Sequence, residues 1–173
     1  DTIELDENLD ADTIKIVGLY DPSENGLDLN MWSKSDGNQL KNIFSNLNKI
    51  DLSEDAAEIL NISILTNSYY PKKNITESEF LKIKADWLIK NSNLDLIEEY
   101  LIKNQIIDTN SSLTRYLVDQ YLSQSNIEKA CEIFSKNQEP ISNDYLSKFN
   151  IYCLINAGKN EEAQLILDLK KEL

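Results

Sequence analysis

Residues 21–30, DPSENGLDLN, have the spacing of half a calcium loop. Asp21, Ser23 and Asn25 offer oxygens at loop positions 1, 3 and 5, and Gly26 supplies the turn at position 6. The second half breaks the pattern. Asp28 stands where a small apolar residue belongs, and Trp32 where the closing bidentate glutamate must be. The preceding TIKIVGLY is rich in β-branched residues and runs into Pro22, so the segment reads as a turn: Pro22 presets φ and Gly26 is able to take φ > 0.

Carboxylates are plentiful, among them Glu98 with Glu99, Glu161 with Glu162, and Asp51, Glu54 and Asp55. Helical neighbours one residue apart diverge by about 100°, so such pairs form no acid–base dyad and read as solvated helix faces. Lys82, Lys84 and Asp86 read the same way, as surface charge around Trp87. Histidine is absent. That removes the commonest general base, the commonest zinc ligand and every Ser-His or Cys-His nucleophile. Cys131 and Cys153 lack a Cys-x-x-Cys spacing and read as two buried free thiols, an inter-helix disulfide being the alternative for an exported protein. No glycine-rich phosphate loop is present. Catalytic residues, metal ligands and cofactors are therefore all expected to be none.

The elements that would position any site follow from composition and periodicity. With 30 acidic against 17 basic residues the chain carries a formal charge of −13, which opposes phosphate backbones and anionic bilayers. Nucleic acid is not an expected partner, nor is membrane insertion, since no apolar run is long enough to span a bilayer. The Asn, Ile and Lys richness has the look of an AT-rich bacterial gene. A chain that starts at Asp1 reads as a processed exported protein or as a domain of a longer one, with a slight lean to export.

Residues 1–35 are expected to form an N-terminal arm and turn, mostly extended, with TIKIVGLY at 13–20 as a short strand or arm and Met31 with Trp32 as its anchor. Residues 36–173 are expected to form an α-helical repeat domain, with hairpins at about 36–67, 78–104, 111–137 and 143–172. Leu40, Ile43, Phe44 and Leu47 follow an amphipathic stripe, while Asp51 with Glu54 and Thr76 with Glu79 have capping-box spacing.

The segments LIKNSNLDLIEEYL at 88–101, YLSQSNIEKACEIF at 121–134 and LINAGKNEEAQLIL at 154–167 align without a gap at one constant offset. Equivalent positions are Leu88, Tyr121 and Leu154; Ser92, Ser125 and Gly158; Ile97, Ala130 and Ala163; and Leu101, Phe134 and Leu167. Upstream, Phe80, Leu113 and Leu146 match, as do Ala85, Val118 and Ile151. Two helices per unit at a period of about 33 residues is a solenoid signature, because a lone hairpin must stack on a neighbour to bury its apolar face.

AGKNEEAQLIL resembles the entry to the second helix of a tetratricopeptide repeat, where a glycine turn, polar residues and an alanine recur together. The resemblance covers residues 78–172, about three repeats, and departs from the family at Ala85, Val118 and Ile151, where glycine is frequent, and at Thr114 and Ser147, where an aromatic is. It implies an all-α right-handed superhelix whose first helices line a groove, used to bind a protein or peptide. Candidate groove residues on those helices are Trp87, Arg115, Asp119, Lys148 and Tyr152.

The expected function is thus a non-catalytic interaction or scaffolding module. The alternative is a helical-superhelix enzyme domain that cleaves glycans with a lone buried carboxylate acid. Leu165, Ile166, Leu167 and Leu169 leave the final helix apolar on a broad face, so self-association or continuation through that helix is also expected.

Overall fold

The computed structural model describes residues 16–137 and 140–171. It is all-α: among the described residues there are eight α-helices and no strand. They are α1 (Gly37–Leu47), α2 (Glu54–Leu65), α3 (Glu77–Asn91), α4 (Leu94–Lys103), α5 (Ser111–Ser123), α6 (Ile127–Ser135), α7 (Asp144–Asn156) and α8 (Asn160–Lys171). Contacts cluster into two compact units, Asp1–Ile43 with Leu52–Phe80, and Phe44–Asp51 with Leu81–Leu173. The division cuts α1 and α3.

In the first unit, TIKIVGLY yields no strand over its described part; residues 13–15 lie outside the described residues. Leu19 and Tyr20 donate their backbone N–H groups to Leu65 O, and Asn67 donates to Tyr20 O, giving one isolated parallel bridge between Tyr20 and Thr66. This approach needs Gly18, because a Cβ there would lie 2.5 Å from Asn67 N. Gly37 is equally confined, with Ile75 Cβ 2.2 Å from where its own Cβ would be. The DPSENG segment is a turn: Ser23–Asn25 form one turn of 3-10 helix, Gly26 takes φ +65°, and Asp21 accepts from Ser23 N at 2.8 Å and Ser23 Oγ at 2.6 Å. Trp32 meets Phe80 edge to face at 6.0 Å.

The expected Thr76–Glu79 capping box forms, with Thr76 N donating to Glu79 Oε2 at 2.8 Å and Glu79 N to Thr76 Oγ1 at 3.2 Å. The one expected at Asp51 and Glu54 does not. Ser53 caps α2 instead and accepts from Ala56 N at 3.4 Å, since the helix starts only at Glu54.

In the second unit, α4 to α8 pack on one another in chain order. The turns into α4, α6 and α8 are built alike. Ser92, Ser125 and Gly158, which occupy one place in the aligned segments, take left-handed φ of 51°, 58° and 75°. The next residue is Asn93 or Asn126 at the first two turns, whose side chains cap α4 and α6 by accepting from Leu96 N and Lys129 N. The loops before α5 and α7 are tied together by Asp108, which accepts from Ser142 N, Ser142 Oγ and Asn143 N. The core holds Leu88, Ile97, Leu101, Leu113, Val118, Ala130 and Leu146.

Candidate functional site

The groove candidates fall in three places. Trp87 is 1 % exposed, so its ring is core and cannot meet a partner; this corrects its expected place in the groove. On α5, Arg115 pairs with Asp119 at 3.4 Å and lies over the Tyr145 ring at 4.5 Å, while Tyr145 donates its hydroxyl to Asp119 Oδ1 at 2.5 Å. That hydrogen bond, with burial, raises the Tyr145 pKa. Lys148 and Tyr152 are exposed on α7, and Tyr152 stacks on Phe149 at 5.7 Å. The structure therefore gathers Arg115, Asp119 and Tyr145 into one charged aromatic patch, with Lys148 and Tyr152 further along α7.

Two charged residues lie deeper than their sequence suggests. Lys84 is buried among the core residues of its helix, and burial pushes its ammonium down to about 7. Glu98 is 7 % exposed rather than part of a solvated face. It accepts from Lys136 Nζ at 2.9 Å and from the Tyr121 hydroxyl at 3.1 Å, with Lys129 Nζ at 3.9 Å. Lys136 also reaches Glu132 at 2.9 Å, and these bonds push Lys136 up to about 12 and hold Glu132 low. Burial and Glu98 push the Tyr121 hydroxyl up to about 12. Glu98 thus joins α4 to α5 and α6. The stripe was visible: Leu94, Glu98, Leu101 and Ile102 share one face of α4, with the acid in its middle.

Cys131 on α6 and Cys153 on α7 are bonded to each other, with Cα atoms 5.4 Å apart. The expectation of two free thiols is overturned, because the packing of α6 on α7 brings the two Cα atoms within bridging range. The disulfide lines a cleft of about 1200 Å³ walled by α6 and α8, with α7 as its floor. Ile127, Phe134, Leu154, Leu165 and Ile166 give it apolar surface. Its charged rim carries Glu128, Glu132 and Glu162 against Lys129 and Lys159. Both lysines are engaged, Lys129 with Glu132 at 3.6 Å and Lys159 with Glu162 at 3.3 Å.

Side chains at equivalent places in the three aligned segments show a gradient of cover along the unit. Leu101 is 0 % exposed, Phe134 7 % and Leu167 38 %. Leu165 and Leu169 are exposed beside it. No group of His, Cys, Asp and Glu among the described residues could hold a metal ion, and no helix among them is long and apolar enough to cross a membrane. Comparison with protein-family models, with curated proteins and with solved structures finds no match to the chain.

Proposed function

We propose that the chain is a non-catalytic protein- or peptide-binding module, built as a right-handed superhelix of about four helical hairpins of tetratricopeptide type and preceded by a mostly extended N-terminal arm. The observation that carries this reading is the recurrence of one turn, left-handed at Ser92, Ser125 and Gly158, between two helices each time. Units of equal construction in series favour stacking, and stacking leaves the first helices side by side as a recognition face. Arg115, Asp119, Lys148 and Tyr152 are its contact residues; Trp87 is withdrawn on its burial. Tyr152 supplies rigid aromatic area, and the Arg115–Asp119–Tyr145 patch supplies orientation. The glycan-cleaving alternative needs a buried acid facing a cleft. Glu98 is buried but lies between two lysines and does not line the cleft.

Affinity capture with the natural chain and with R115A/K148A/Y152A, matched by circular dichroism, tests the reading. A partner retained by the natural chain and lost by the variant is the expected result. Equal capture by both, or turnover of glycan oligomers by the natural chain, would overturn it.

A further inference from the structure

We infer that the cleft between α6 and α8 is a second docking surface, for an amphipathic helix of a partner protein that carries leucine-type anchors on one face and Lys or Arg at its edges. One step earlier along the unit, α4 is tied to α6 by the ion pairs of Glu98 with Lys129 and Lys136. Moving each residue of that latch one repeat along gives Cys131, Glu162 and Leu169. The acid has become a cysteine that is bonded to Cys153, one lysine a glutamate and the other a leucine, and Leu169 is 57 % exposed. The ties that join α4 to α6 thus have no counterpart at these positions between α6 and α8, where the cleft lies.

What remains defines the occupant. Apolar walls at Ile127, Phe134, Leu165 and Ile166 call for an apolar face. The rim holds three carboxylates against two lysines that those carboxylates already neutralise, and Glu132 is held in its charged form by Lys136. A basic edge on the occupant would meet Glu128, the rim acid left over once Lys129 pairs with Glu132 and Lys159 with Glu162. A second copy is disfavoured by its own charge of −13.

The probe is a fluorescein-labelled Leu/Lys amphipathic peptide of about four helical turns, beside a scrambled isomer of the same composition and a Leu/Glu analogue, read by anisotropy on the full chain. The Leu/Lys helix is expected to bind at least 10-fold more tightly than its scrambled isomer, and the Leu/Glu analogue not at all. Ile127→Gln with Leu165→Gln, both at exposed positions, should erase that margin at an unchanged melting temperature, while R115A/K148A/Y152A should keep it. Equal binding of the scrambled isomer, tight binding of the Leu/Glu peptide, or a margin that survives in the Gln variant would overturn the inference. So would a concentration-dependent dimer in light scattering that the Gln variant dissolves, since it assigns the cleft to a second copy.

Discussion

The α4–α5 and α6–α7 junctions use the same positions for opposite kinds of bond. At the first, Glu98 accepts from Tyr121 and reaches across to α6 through Lys129 and Lys136. At the second, Cys131 stands at the position of Glu98 and is covalently bonded to Cys153, so that it has nothing to offer α8. One junction is ionic and shared among three helices; the other is covalent and confined to two. The difference teaches that one position of the aligned segments can tie its helix to two neighbours through charge or to one through a covalent bond.

The largest expected effect breaks the covalent side. C131A/C153A removes a bridge across a sequence separation of 22 and should cost about 3 kcal/mol by the loop-entropy account. Urea unfolding with and without reductant checks it; coincident curves for the natural chain would show that the bridge does not form. Breaking the ionic side costs less. Glu98→Ala leaves Tyr121 without its acceptor and Lys136 without its inner partner, with an expected loss of about 2 kcal/mol, whereas Glu98→Gln keeps an acceptor for Tyr121 and should lose less. An Ala variant as stable as the natural chain would remove the latch from the comparison.

The turns sharpen it further. Ser125→Gly relieves a left-handed φ of 58° and should stabilise by about 1 kcal/mol, and Gly158→Ser should lose about as much. Thermal melts of the two variants should move in opposite directions. The smallest effect is one of pH. Lys136 is raised in the folded chain by Glu132 and then Glu98, so its contribution is complete below its ordinary value and fades as pH rises through about 12. Its ammonium is solvent-facing, so the stability difference between the natural chain and Lys136→Met should stay within roughly 0.2–1 kcal/mol near neutral pH and vanish in alkali. A difference that grows above pH 11 contradicts the assignment.

The helices were legible because their signals are local. The Thr76–Glu79 box and the recurring turns at Ser92, Ser125 and Gly158 need only neighbouring residues to act, whereas of the stripe expected at Leu40, Ile43, Phe44 and Leu47 only Leu40 and Phe44 are buried and Ile43 is 51 % exposed. What depended on helix crossing was not legible. Cys131 and Cys153 lie on different helices, and nothing in their separation fixes the 5.4 Å between their Cα atoms. Trp87 and Lys84 share a helix face with Phe80 and Leu88, a pattern that predicts burial for both, but the charge of Lys84 and its neighbours Lys82 and Asp86 pointed to solvent. Lys82 and Asp86 do pair at the surface, at 2.9 Å.

The two close backbone approaches in the first unit bear on which sequences can keep this fold. Conformation alone would mark Gly26 and Gly158 as the restricted positions, since both have positive φ; yet nothing lies within 4 Å of a Cβ at either, so asparagine or another residue tolerant of that region can drift in at modest expense. Gly18 and Gly37 have no left-handed φ to betray them, but a single methyl group would strike Asn67 N or Ile75 Cβ. Among descendants of this chain, inheritance should therefore hold fast at the two glycines whose backbone looks ordinary and relax at the two whose backbone looks special.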